Sequence, residues 1–84
     1  MDWVVYILRC ADDTYYTGIT NDLDARVKAH NDGTGAKYTK PRTPVKIVYQ
    51  EECLDRSAAS KREYAIKRLS RNDKTELIKT GKGL

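Results

Sequence analysis

The sequence has 84 residues, 16 Lys and Arg against 12 Asp and Glu, a formal net charge of +4 and 39% hydrophobic residues, which fits one small domain with a limited core. No run approaches the roughly 20 apolar residues of a membrane span, and the start Met1-Asp2-Trp3-Val4 lacks the basic region and cleavage site of a secretory signal, so the expected location is the cytoplasm. Cys10, Cys53 and the single His30 have neither the number nor the spacing of a disulfide scaffold or a zinc finger, and the cysteines read as reduced thiols.

In chain order, Trp3 to Arg9 is dense in β-branched and aromatic residues, with both parities apolar, and predicts a central strand. Ala11-Asp12-Asp13 predicts a turn, and Thr14 to Ile19 returns as a second strand, which sets Tyr6 and Tyr16 about two residues apart in register. Thr20 or Asn21 is the expected N-cap of a helix through Leu23, Arg26, Val27 and His30. Leu23 and Val27 make its apolar stripe, so Arg26 and His30 belong at the edge of the buried surface. Asn31 to Pro44 is a long loop rich in Gly, Thr and Pro; Lys37, Lys40 and Arg42 around Tyr38 suit a nucleic-acid backbone, and nothing in it matches a P-loop. Val45 to Gln50 predicts a third strand with Val45, Ile47 and Tyr49 on one face. Asp55 or Ser57 then caps a helix to about Leu69, whose expected stripe is Ala58, Arg62, Ala65, Ile66 and Leu69 with Glu63 on its flank. A last short helix starts at Asn72 and is closed by Gly81, before the final Lys82-Gly83-Leu84.

Charge is segmental. Met1 to Ala25 carries five Asp against one Arg, whereas Arg26 to Val48 carries six cations against Asp32. Tyr49 to Asp55 is acidic again, and Arg56 to Leu84 holds nine cations against three acids. Basic stretches interleaved with Tyr and Gly suit a phosphate-contact surface, and equally a solvated helix face. Six Tyr and no Phe point to phenols used for their hydroxyls as well as their rings.

Val4-Val5-Tyr6, then Tyr16-Thr17-Gly18, Arg26 ten residues after Tyr16, His30 one turn later and Glu63 on a later helix together resemble the GIY-YIG nuclease family, over the whole chain. The resemblance is to small stand-alone members and implies one nuclease-like domain over 1–84. Its fold would be α/β in the α+β sense, a three-stranded antiparallel sheet flanked by helices in the order β-β-α-β-α-α. It implies hydrolysis of nucleic-acid phosphodiester bonds, DNA more than RNA, with structure-selective or DNA-repair roles, Mg²⁺ or Mn²⁺ as cofactor, and a protein partner that could supply substrate recognition. By the same resemblance Tyr6 and Tyr16 are the motif tyrosines, Gly18 the motif glycine, Arg26 the catalytic arginine, His30 the His-or-Tyr position and Glu63 the metal ligand. Val4 and Thr17 depart from the motif, and Ile19 stands where some members carry a lysine. Asn72 is the candidate for a late asparagine contacting phosphate, and reads equally as an N-cap.

These residue types suit the reaction. Phosphodiester hydrolysis needs an activated water, charge stabilisation on the phosphoryl oxygens and help for the departing alkoxide. Arg26 offers a planar donor fork and Glu63 a hard oxygen ligand; Tyr6 is the expected general base, assisted by His30, with Tyr16 orienting water or phosphate, or the two tyrosines exchange these roles. A phenol titrates near 10, so such a base requires help from the metal, Arg26 or His30. Each residue alone has a plainer reading: Tyr6 with Tyr16 as cross-strand packing, Arg26 paired with Asp22, and Glu63 with Lys67. The alternative function is a nucleic-acid-binding or partner-interaction module without cleavage.

Overall fold

A computed structural model of the chain describes residues 2–81; Met1 and the closing Lys82-Gly83-Leu84 lie outside the described residues. The elements are β1 (Trp3–Arg9), β2 (Tyr15–Thr20), α1 (Leu23–Asn31), a short 3-10 turn (Lys40–Arg42), β3 (Lys46–Cys53), α2 (Arg56–Lys67) and α3 (Arg71–Thr80). The three strands form one antiparallel sheet in the order β2-β1-β3, so β1, the most apolar segment, is central.

The pleat of β1 separates two cores. Val5 and Ile7 pack with Tyr49, Ile66 and Leu77 on the side covered by α2 and α3. Tyr6 and Leu8 pack with Cys10, Val45, Tyr16, Leu23 and Val27 on the side of α1. A strand with helices on both faces must be apolar at both parities, which is the pattern of Trp3 to Leu8. Trp3 itself is only partly buried, with the Arg56 guanidinium 5.6 Å from its ring centre.

Helix ends are set by side chains. Asp22, not Thr20 or Asn21, caps α1 by accepting from the Ala25 N–H, while Thr20 Oγ1 accepts from Asp22 N. Asp55 caps α2 through Ala58 N. Ser70 caps α3 through Asp73 N, so Asn72 lies inside the first turn and is not the cap. Gly81 closes α3 with φ +66°, a left-handed conformation that suits glycine.

Two patterns were read incorrectly from the sequence. β1 pairs Ile7 with Tyr49 but Leu8 with Ile47, and this bulge puts Ile47 on the opposite side from Tyr49, exposed, with Val48 taking part in the core. β3 also runs on to Cys53, because the start of β1 offers it partners as far as Trp3. On α2 the buried residues are Ala59 and Ile66, while Ala65 is exposed. Glu63, four residues from Ala59 and three from Ile66, flanks that face and is partly buried.

Candidate active site

Tyr6 stands mid-way along β1, is 1% exposed, and faces Gly18 across the β1–β2 ladder. A Cβ at Gly18 would lie 2.5 Å from the Tyr6 hydroxyl oxygen and 2.7 Å from its Cζ, so the glycine is the space that the phenol occupies. Tyr16, paired with Leu8, is on the same face, and the two phenol rings are 6.4 Å apart. The two-residue offset read from the hairpin is the observed one.

His30, at the end of α1, is fully buried rather than at the edge of the covered surface. Its Nε2 is 3.0 Å from the Tyr6 hydroxyl and its Nδ1 is 2.8 Å from Thr39 Oγ1. Its ring edge meets Tyr16 at 5.1 Å between centroids. Burial, and then the positive charge of Arg26, hold the His30 pKa below its ordinary value, so the ring is neutral at pH 7. Arg26 lies near enough to Tyr6 for its positive charge to favour the phenolate. Desolvation of the phenol outweighs that, aided by Tyr16 and Glu63, and the Tyr6 pKa lies above its ordinary value. Tyr6 is therefore a neutral phenol in the resting protein, its hydroxyl within hydrogen-bond distance of His30 Nε2.

Glu63 approaches from α2, close enough for its charge to act on Tyr6. Its carboxylate is 24% exposed and carries the Lys67 ammonium at 3.2 Å, the i,i+4 pairing expected on a helix. Among the described residues no group of three or more His, Cys, Asp or Glu is placed to hold a metal. A single carboxylate still fits a Mg²⁺-type ion, which keeps several waters and takes one or two carboxylates plus substrate oxygens. Its lysine partner shows that this carboxylate already accepts a cation.

The long loop is ordered by specific bonds. Asn31 accepts from Val45 N at 2.7 Å and donates to Val45 O at 3.1 Å, which ties its two ends together. Arg42 is committed within the chain: it pairs with Asp12 at 2.9 Å, donates to the Tyr38 carbonyl at 2.7 Å, and lies 4.0 Å over the Tyr38 ring centre. Tyr38 is thereby held near-parallel to Tyr16, with centroids 6.1 Å apart, and is 38% exposed. Lys37 and Lys40 flank it and are exposed.

Beside β2, an edge strand, a groove of about 280 Å³ is lined by Tyr15, Tyr16, Thr17, Tyr38, Lys67 and Lys74. It brings the catalytic-candidate Tyr16, the loop and the α2–α3 cations to one place. Asn72 is exposed on the first turn of α3, next to Arg71, whose guanidinium lies 4.4 Å from the Tyr15 ring centre. A larger groove of about 480 Å³ lies between the end of β3 and α2, and none of the candidate site residues lines it.

Tyr6, Tyr16, Arg26, His30 and Glu63 thus come together from four elements. Thr39 and Lys74 join them without having been singled out, and Lys67 joins them as the expected partner of Glu63. Thr39 sits in a loop without periodicity, and the length of that loop was the only sequence signal near it.

The family model described as the GIY-YIG catalytic domain matches residues 2–76. The chain is similar to a UPF0213 protein of Desulfotalea psychrophila, 56% identical over 78 residues covering 92% of this chain and 71% of that protein. A UPF0213 protein of Staphylococcus epidermidis is 52% identical over 77 residues, covering 92% and 94%. The solution NMR structure of a UPF0213 protein from Bacillus halodurans superposes with a TM-score of 0.63 at 42% identity, covering 99% of this chain and 88% of that one.

Proposed function

Since this chain belongs to the GIY-YIG nuclease domain family, we propose that it is a divalent-metal-dependent endonuclease that hydrolyses nucleic-acid phosphodiester bonds, DNA in preference to RNA. The observation that carries this reading is the Tyr6 hydroxyl bonded to a buried, neutral His30 within the field of both Arg26 and Glu63. A packing tyrosine needs one partner for its hydroxyl, but neither an arginine nor a carboxylate nearby.

In the proposed reaction a water attacks phosphorus. As it does so it gives a proton to the Tyr6 oxygen, while the phenol's own proton passes to His30 Nε2. Tyr6 therefore acts as a base without first ionising, which its raised pKa would oppose. Arg26 donates to the non-bridging oxygens, where its fork matches the charge that grows in the transition state. Tyr16 orients the water or the phosphate. Glu63 would hold Mg²⁺ or Mn²⁺, which when bound supplies positive charge to the phosphoryl group and the departing oxygen.

For substrate binding, Lys37, Tyr38 and Lys40 contact the backbone from the loop, Arg42 keeps that loop in shape, and Asn72 meets a phosphate from α3. Selectivity comes from the shape of a branched or damaged substrate, or from a protein partner. We place this activity in DNA processing or repair, in the cytoplasm.

The test is cleavage of supercoiled, single-stranded and branched DNA and of RNA in Mg²⁺ or Mn²⁺, beside Glu63→Ala. Cleavage of at least one DNA form, lost in Glu63→Ala with binding kept, is the expected result. Failure to cut any substrate, or equal cutting by Glu63→Ala, would leave the binding-module reading in its place.

A further inference from the structure

We propose that Thr39 is a positioning residue that fixes the tautomer of His30, holding the proton on Nδ1 and leaving the Nε2 lone pair turned toward the Tyr6 hydroxyl. This rests on the proposed role of Tyr6 for its catalytic meaning, but the assignment itself follows from the hydrogen bonds.

Thr39 is 0% exposed although it sits in a surface loop among exposed Lys37, Tyr38 and Lys40. Its hydroxyl is 3.1 Å from the Ala36 carbonyl, to which it alone can be the donor, and 2.8 Å from His30 Nδ1. A threonine hydroxyl has one proton. With that proton on Ala36, the oxygen can only accept from His30, so Nδ1 carries the hydrogen and Nε2 is bare. The Tyr6 hydroxyl then donates to Nε2 at 3.0 Å, and the four groups form one directed chain: Tyr6, His30, Thr39, Ala36.

Reversing the chain loses the Thr39–Ala36 bond at one end and strands the Tyr6 proton at the other. With the proton on Nε2, the Tyr6 hydroxyl would become an acceptor, and its own proton would have no acceptor among the described residues. Thr39 would have to turn its proton to Nδ1 and release Ala36. A buried donor without a partner is costly, so the ring nitrogen that faces Thr39 decides the one that faces Tyr6. The lowered His30 pKa agrees with a ring that carries one proton only.

The loop holds the ring on a second side as well. A Cβ at Gly35 would meet His30 Nδ1 at 2.5 Å and its Cα at 2.8 Å, so the loop closes on the imidazole with a glycine where no side chain fits. Thr39 also lies between Tyr38 and Lys40, two residues proposed to contact substrate. The segment that meets the nucleic acid is thus the segment that sets the proton acceptor.

His30 is the single histidine, so its ring signals are unambiguous in ¹⁵N-edited NMR. At a pH where the ring is neutral, the wild-type protein is expected to show a protonated Nδ1 and a bare Nε2. Thr39→Val removes the acceptor and is expected to move the ring toward the Nε2–H form, while Thr39→Ser keeps the wild-type pattern. If cleavage is found, Thr39→Val should lower kcat by about 10–100-fold with KM little changed, the scale of losing an outer-shell orienting contact, and Thr39→Ser should restore it. A wild-type ring protonated on Nε2 would overturn the proposal, and so would a folded Thr39→Val with unaltered ring signals. The wild-type reading alone decides should Thr39→Val fail to fold. Because the NMR signature needs no substrate, absence of cleavage would count against the nuclease reading and leave this assignment standing.

Discussion

His30 is buried and held by two hydroxyls, with no carboxylate bonded to it among the described residues, and that makes it responsive to acid. Its folded pKa is lowered, by burial first and by Arg26 second. Below the ordinary value of about 6.5 the unfolded chain binds a proton that the folded chain refuses, so unfolding is favoured as pH falls from there toward the folded pKa. Above about 6.5 neither state binds it and the contribution is constant. Thermal unfolding followed between pH 7.5 and 5, all such pH values being about the range in which an imidazole titrates, should therefore show a lower midpoint at the acid end. His30→Gln, which cannot titrate, should have the shallower slope. Equal slopes would mean that the ring is not held neutral. At the same scale Tyr49 serves structure: its hydroxyl donates to Glu51, desolvation and that carboxylate push its pKa to about 12, and Arg62 completes the pair with Glu51 at 3.0 Å.

Among the elements, the β1–β2 hairpin does most to build the site, because antiparallel pairing alone sets Tyr6 opposite Gly18 and diagonal to Tyr16. Gly18→Ala would drive a methyl group into the Tyr6 phenol. Overpacking of this kind costs about 1–3 kcal/mol, and here it would also displace the hydroxyl from His30. The expected outcome is a folded variant with a lower unfolding midpoint and little or no cleavage; wild-type stability and rate would mean that the phenol is not confined by this glycine.

The hairpin, with a first strand apolar at both parities and an Asp-Asp turn, was legible in the sequence, as was the helix order. The five residues that meet at the site were singled out by the resemblance of their order and spacing to the family's motif, since strand and helix periodicity alone gives each of them a plainer reading. Ile47 was misread because a bulge is fixed by pairing with β1 and leaves no mark on the pattern of β3 itself. Thr39 was invisible for a similar reason. Its burial depends on how the loop folds over α1, through Asn31 bonding to Val45 and Arg42 to Asp12, and such long-range bonds have no periodicity to read.

At the scale of the whole molecule, the acidic residues are largely engaged within the chain. Asp12 and Glu51 pair with arginines, Asp32 with Lys28, and Asp22 and Asp55 cap helices. Cations at the β2 edge, Lys67 and Lys74 with the loop's Lys37 and Lys40 nearby in sequence to Tyr38, are what a polyanion would meet. No helix among the described residues is long and apolar enough to cross a membrane. Binding and cleavage draw on different groups in this account, the lysines for one and Tyr6, His30, Arg26 and Glu63 for the other. The most direct measurement exploits that separation: single-turnover cleavage of a labelled branched DNA, bound first without metal and then started with Mn²⁺, by wild type and by Tyr6→Phe. Both proteins should bind within about twofold of each other, since the phenol hydroxyl makes no part of the electrostatic contact, and Tyr6→Phe should cut at least about 100-fold more slowly, the scale of losing a general base. A wild type that binds without cutting, or a Tyr6→Phe that cuts at the wild-type rate, would contradict it.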